Sequence, residues 1–151
     1  MTLLLREEDR NAILRHGEAA YPEECCGFLL GAEGPDGRRA VRLARAANER
    51  VDTRRRRFVI SPETYLEVES EAIREGLDII GIYHSHPEAP AAPSEFDREH
   101  AFPGLSYVIV SVRDGRAAEI ASWTLRDDRT RFDPEPLEAA PSRAAETRST
   151  P

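Results

Sequence analysis

Hydrophobic and polar residues follow two periods along the chain, and each period predicts one kind of element. Apolar residues at helical spacing, with acids in the first turn, predict a helix from Arg6 to Ala20. A Ser-Pro-Glu start and a following glycine predict a second helix from Pro62 to Glu75. Together with the strands given in the next sentence, these helices predict an α/β fold with a central sheet flanked by helices. Short apolar runs predict strands at Cys25 to Gly31, Ala40 to Ala46, Phe58 to Ile60, Asp78 to Tyr83, Ser106 to Val112 and Ala118 to Leu125.

Composition divides the chain into one domain and a tail. The 151 residues are 40% hydrophobic, which supports a single domain with its own core over residues 1–132. From Asp133 onward Pro, Ala, Glu and Ser dominate, and little remains that could be buried. A flexible tail is therefore predicted over residues 133–151.

Charge and cysteine content bear on partners and location. The net charge of −7 gives no general attraction for nucleic acid, and no apolar run is long enough for a signal peptide or a membrane span. Cys25 and Cys26 are neighbours that face opposite ways on a strand, so buried, reduced thiols in the cytoplasm are the simplest interpretation. The run from Arg54 to Arg57 is either a solvated loop or a basic lip for an acidic partner.

The strongest chemical signal lies between Gly81 and Asp97. His84 and His86 follow an apolar strand, and side chains two residues apart on a strand point the same way. Ser94 is a typical N-cap, and Asp97 lies in the first turn of the short helix that follows it. Two imidazole nitrogens and one carboxylate oxygen suit a tetrahedral Zn²⁺ whose fourth position takes water, as in catalytic sites. The histidines alone are weak evidence, because such pairs are often surface or capping residues.

A water molecule activated on such an ion also needs a group that takes its proton, and a carboxylate that binds the metal cannot serve. Glu88, Glu95 and Glu99 lie near the histidines in sequence, although each is also typical of a solvent-facing charge. Glu23 and Glu24 precede an apolar strand, where the neighbouring apolar surface favours the protonated form of a carboxylate. The residues by themselves do not decide between these two.

The pattern His-Ser-His-Pro from residue 84, six further residues and then Ser-x-x-Asp from residue 94 resembles the metal-binding signature of the JAMM (MPN-plus) metalloproteases. The resemblance extends from about Leu4 to Leu125. It implies the fold of that family, which is an α/β fold with a curved, mixed central sheet flanked by helices and is similar to the cytidine deaminase fold. By this resemblance His84, His86 and Asp97 match the zinc ligands.

The same resemblance implies a mechanism. Glu24 matches the acid that precedes a short apolar strand ending in glycine, and Ser94 matches the serine that supports the oxyanion of the tetrahedral intermediate. Zinc-bound water would attack the carbonyl directly, and Glu24 would take its proton and return it to the leaving amine. Cys25 and Cys26 then have no role as nucleophiles.

Compact prokaryotic proteins similar to this chain process small ubiquitin-like sulfur carriers of the ThiS and MoaD kind. The implied function is a zinc-dependent peptidase or isopeptidase that cleaves at the carrier's C-terminal Gly-Gly. One form of this reaction would release cysteine from the carrier in cysteine biosynthesis. One alternative is a module that binds ubiquitin-like proteins and contains a structural zinc. Another is a DNA-repair-associated protein similar to RadC, although the helical DNA-binding region typical of RadC is not seen in this sequence.

Overall fold

A computed structural model describes residues 2–48 and 60–142 of the chain. In order, the elements of this part are β1 (Thr2–Arg6), α1 (Glu7–Ala20), β2 (Cys26–Gly34), β3 (Gly37–Ala46), α2 (Pro62–Arg74), β4 (Asp78–Pro87), α3 (Glu95–His100), β5 (Ser106–Arg113), β6 (Arg116–Leu125), β7 (Phe132–Glu135) and β8 (Leu137–Ala140). None of the helices in these ranges is long and apolar enough to cross a membrane. The predicted strand Phe58 to Ile60 falls largely outside the described residues, and the run Arg54 to Arg57 lies wholly outside them.

The strands form one mixed sheet in the order β7-β6-β5-β4-β2-β3-β1-β8. Central β4 pairs antiparallel with β2 and parallel with β5. Ile13 of α1 packs in one buried cluster, whereas Val68 of α2 packs in a second, so the helices cover opposite faces of the sheet. A hydrogen bond across the sheet indicates that the sheet is curved. Arg38 of β3 donates to the Ser106 hydroxyl of β5 at 3.0 Å, although strands β2 and β4 lie between β3 and β5. The predicted fold class is confirmed.

Helix α2 has the ends that its sequence predicts. The Ser61 side chain accepts a hydrogen bond of 3.2 Å from the Thr64 N–H, and Pro62 occupies the first helical position. Gly76, which follows the C-cap, has a φ of +71°, a conformation that glycine adopts without strain. Ser61 therefore provides a structural cap with which the cap of α3 can be compared.

The predicted tail is wrong for residues 133–140, which belong to the sheet. Strand β7 pairs with β6, and β8 pairs in parallel with β1, itself a strand that the sequence analysis did not predict. Phe132 and Leu137 pack against the two buried clusters. Composition gave no sign of this, because short edge strands are stabilised by backbone pairing with strands distant in sequence. Residues 143–151 lie outside the described part.

One extra residue in β4 determines which face of the sheet its side chains reach. Ile79 and Gly81 lie opposite two consecutive residues of β2, which defines a β-bulge. Ile79 and Ile82 both pack in the cluster that contains α2, although residues three apart on a regular strand face opposite sides. The bulge therefore directs Ile82, and with it His84 and His86, to the face covered by α2 and α3.

We expect the substitution Gly81→Ala to destabilise the protein. A Cβ atom at Gly81 would lie 2.5 Å from the Ser106 carbonyl oxygen, a backbone atom that cannot move independently. The expected loss is about 1–3 kcal/mol in the free energy of unfolding, measured with urea. Gly34→Ala in β2 is the control, because its Cβ would meet nothing closer than 3.8 Å. Equal losses in the two variants would contradict the close approach of β4 and β5.

Candidate active site

The side chains of His84, His86 and Asp97 meet at the C-terminal end of β4. The Nε2 atoms of the two histidines are 3.0 Å apart. The Oδ2 atom of Asp97 lies 3.3 Å from Nε2 of His84 and 3.1 Å from Nε2 of His86. Three atoms with electron pairs to donate thus form a nearly equilateral triangle, as the spacing of the residues predicted.

This triangle fits a divalent ion with tetrahedral preference. Bonds of about 2.0–2.1 Å from Zn²⁺ to nitrogen or oxygen place tetrahedral ligand atoms roughly 3.3 Å apart. The observed separations of 3.0–3.3 Å are close to that value. The donor set of two imidazoles and one carboxylate also suits zinc. His84, His86 and Asp97 are therefore residues that could hold the ion, and Glu24 lies close enough to the two histidines to be considered with them.

Asp97 is held in place by the helix that it helps to begin. The Ser94 side chain accepts a 3.1 Å hydrogen bond from the Asp97 N–H, and the Ser94 N–H donates one of 2.8 Å to Oδ2 of Asp97. This reciprocal pair is a capping box. Because the same Oδ2 atom faces both imidazoles, the start of α3 determines where that ligand atom lies.

The backbone fixes the tautomer of His86. Its Nδ1 atom lies 2.9 Å from the carbonyl oxygen of Pro90. A carbonyl oxygen only accepts, so Nδ1 carries a proton, and Nε2 is the ring nitrogen whose lone pair would be available to a metal ion. Sequence analysis missed this contact, since Pro90 lies in the loop that was treated only as a connection.

Burial and pairing act in opposite directions on the pKa values of these groups. Burial favours the neutral form of Asp97, but the charge of His84 and hydrogen bonds from His84, His86 and the Ser94 N–H hold the pKa of Asp97 well below its usual range. Burial lowers the pKa of His84, which is fully enclosed. Burial also acts to lower the pKa of His86, yet its hydrogen bond and attraction to Asp97 raise that pKa overall.

Glu24 lies immediately before β2 and is only 2% exposed. A carboxylate oxygen of Glu24 and one ring nitrogen each from His84 and His86 all lie within 4.8 Å of one another. The backbone of this segment is anchored, since the Asn48 side chain donates to the Glu24 carbonyl oxygen at 3.2 Å and the Cys25 N–H donates to the Ser85 hydroxyl at 2.8 Å. The fold thus brings Glu24 to the same point as the two histidines.

The other carboxylates near the motif have different surroundings. Oε1 of Glu88 accepts hydrogen bonds from the Tyr21 hydroxyl at 2.7 Å and from the Asp114 N–H at 2.6 Å. Glu95 pairs with Arg98 on the surface of α3. Glu99 is exposed. Glu88 and Glu95 therefore have structural partners.

The two cysteines are buried thiols, as predicted. Burial raises the pKa of the Cys25 thiol to about 11. A thiol with such a pKa is almost entirely protonated at neutral pH and is a poor nucleophile. This agrees with the absence of a cysteine role in the mechanism implied by the resemblance.

An apolar cavity of about 360 Å³ adjoins the triangle on the side of α2 and α3. His84 and Asp97 form part of its wall, and Glu24 is not part of the lining. Pockets of this volume bind small ligands or side chains. The remaining lining residues are Ile60, Tyr65, Ile82, Phe96, His100, Ala101, Phe102 and Tyr107.

Fold and site together define a mixed α/β protein with a candidate single-metal centre at the end of its central strand. Residues 6–126 match the family described as prokaryotic homologs of the JAB domain. The chain therefore belongs to the prokaryotic JAB domain family, which confirms the family resemblance seen in the motif.

Two curated relatives and one solved structure show how close these similarities are. The chain is 34% identical to desampylase from Haloferax volcanii over 127 residues, which cover 81% of this chain and 88% of that protein. It is 33% identical to CysO-cysteine peptidase from Mycobacterium tuberculosis over 134 residues, or 83% and 84% of the two chains. A JAB1/MPN domain protein from Archaeoglobus fulgidus shares the fold, with a TM-score of 0.58, 21% identity and coverage of 93% and 100%.

We expect Ser94→Ala to weaken Zn²⁺ binding, because it removes the hydroxyl half of the capping box that orients Asp97. The zinc dissociation constant should rise about tenfold, measured by competition with a chelator. Ser61→Ala is the matched control, since it removes the corresponding cap of α2. Both variants should lose about 1 kcal/mol of stability. Unchanged zinc affinity in Ser94→Ala would show that the cap does not position Asp97 for the metal.

Proposed function

We propose that this chain is a zinc-dependent peptidase or isopeptidase that cleaves at the C-terminal Gly-Gly of small ubiquitin-like sulfur-carrier proteins. The relatives called desampylase and CysO-cysteine peptidase support this substrate class, and each aligns with more than four fifths of the chain. Release of cysteine from such a carrier is one form of the reaction. The proposed metal ligands are His84, His86 and Asp97.

One observation carries the proposal: three donor atoms lie within 3.3 Å of one another, and a buried carboxylate lies beside them. A structural zinc site is normally closed by a fourth protein ligand. Here the fourth nearby group is Glu24, whose carboxylate oxygen lies no further than 4.8 Å from a ring nitrogen of each histidine. We assign it to proton transfer with a water molecule at the fourth position. This arrangement favours hydrolysis over a purely structural role.

In the proposed reaction each side chain has a separate task. Zn²⁺ held by the three ligands would act as a Lewis acid and lower the pKa of water. Glu24 takes a proton from the attacking water and delivers it to the leaving amine. The Ser94 oxygen accepts a bond from Asp97, so its own proton stays available for donation to the oxyanion of the substrate.

The cavity beside the metal centre suits the extended tail of the carrier. Strand β4 is already paired with β2 and β5 on both sides, so the tail cannot bind as an additional strand next to the histidines. The apolar lining beside His84 and Asp97 offers another surface. Since the leaving amine must lie near Glu24, which is outside the cavity, the carrier side of the scissile bond is assigned to the cavity.

The decisive experiment measures the intact mass of a ThiS- or MoaD-like carrier extended beyond its Gly-Gly. Glu24→Gln should slow removal of the extension at least about 100-fold and leave zinc binding intact, because it removes the proton carrier without removing a ligand. Glu23→Gln is the matched control and should cleave normally. A chelator should abolish cleavage by the wild type.

Two outcomes would contradict this assignment in different ways. Cleavage by Glu24→Gln at the wild-type rate would exclude Glu24 as the proton carrier. A wild-type protein that binds both zinc and carrier but leaves the carrier mass unchanged would favour the alternative of a binding module.

Substitution of two exposed apolar residues on the same face of the sheet tests whether the cavity is the carrier site. Phe102 lines the cavity and is 58% exposed, whereas Leu66 of α2 is 61% exposed and does not line it. Phe102→Ala should lower kcat/KM for the carrier roughly tenfold, the effect of losing apolar burial worth about 1.4 kcal/mol. Leu66→Ala should change it little. Equal effects of the two substitutions would count against the cavity as the carrier site.

A further inference from the structure

The loop between β4 and α3 carries the carbonyl group that orients His86. Its Pro90 oxygen receives the 2.9 Å bond from His86 Nδ1. A carbonyl group in a loop orients a ring well only if the loop itself is held in place. The contacts of the residues on either side of Pro90 therefore matter for the site.

Both neighbours of Pro90 are fixed by side chains from the adjoining strands. The Ser111 hydroxyl of β5 donates a hydrogen bond of 2.6 Å to the Ala89 carbonyl oxygen. The Trp123 indole N–H of β6 donates one of 3.0 Å to the Ala91 carbonyl oxygen. The Ala91 N–H also donates to the exposed Glu119 carboxylate at 3.1 Å.

The positions of these side chains suit an indirect role. Ser111 is fully buried and lies opposite His86 in the parallel ladder of β4 and β5, so its hydroxyl is shielded from solvent. Trp123 is partly buried and reaches the loop from one strand further away. Neither residue lines the cavity beside the triangle.

We propose that Ser111 and Trp123 are positioning residues for His86. By holding Ala89 and Ala91, they keep the Pro90 carbonyl at hydrogen-bonding distance from Nδ1, and so keep the Nε2 lone pair directed at the metal. This inference rests on the proposed function, because it assigns His86 as a ligand. It places part of the control of the metal centre on β5 and β6, two strands that contribute no ligand of their own.

The test compares zinc affinity with stability in three variants of the full chain. Ser111→Ala and Trp123→Phe should each raise the zinc dissociation constant about tenfold, measured by chelator competition near pH 8, where an imidazole is about neutral. Ser122→Ala is the matched control. Ser122 is also a buried serine, and its hydroxyl donates a 2.8 Å bond to Glu135 rather than to the loop. It should lose stability in urea yet bind zinc like the wild type.

A second measurement follows the Nδ1–H proton of His86 by NMR. The bond to Pro90 protects this proton from exchange with water, so exchange should be faster in Ser111→Ala and Trp123→Phe and unchanged in Ser122→Ala. Trp123→Phe keeps an aromatic ring, which provides a folded variant if Ser111→Ala proves too unstable.

The outcomes separate this inference from the proposed function. If the wild type binds zinc and both loop variants bind it equally well, the positioning role is overturned and the metal centre stands. A loss of affinity of the same size in Ser122→Ala would also overturn it, because general destabilisation would then explain the effect. If the wild type binds no zinc, the metal centre fails, and unchanged Nδ1–H exchange in the two variants would overturn the positioning role separately.

Discussion

The placement of the site depends on the extra residue in β4. Without the bulge between Ile79 and Gly81, the alternation of side chains would place His84 and His86 against α1, on the face where Tyr83 lies buried. Asp97 and the apolar cavity would then be on the opposite side of the sheet. Gly81 permits the close contact with β5 at this irregularity, since a side chain there would collide with the backbone at Ser106.

The groups at the site serve two purposes at once. The Ser94 N–H that helps to begin α3 also binds the oxygen of Asp97 that faces the histidines. The Ser85 hydroxyl lies between the two histidines in sequence and binds the backbone beside Glu24. Secondary structure and candidate chemistry therefore share hydrogen bonds, so the end of β4, the start of β2 and the start of α3 are mechanically linked through a few polar atoms.

The sequence predicted what depends on local patterns. Strand alternation predicts that the two histidines point the same way, and helix capping predicts the role of Ser94 before Asp97. Both rules involve only residues that are close in sequence. It could not predict that Pro90 would orient His86, because that contact depends on the conformation of the loop after β4. Nor could it predict that Trp123 would hold the loop, because that contact joins residues whose proximity follows from strand order. Strands β1, β7 and β8 were missed for the same reason: each is short, and its pairing partner decides its conformation.

The parallel pairing of β1 with β8 joins the two ends of the described chain. Leu3 lies opposite Leu137, and the Leu3 N–H donates to the Pro136 carbonyl oxygen at 2.9 Å. If β7 and β8 were removed, β1 and β6 would each become an open sheet edge with unpaired backbone groups. Strands β7 and β8 have four residues each, whereas β6 has ten and β1 has five. The C-terminal segment therefore leaves short strands at both edges of the sheet, which limits the backbone that another chain could pair with.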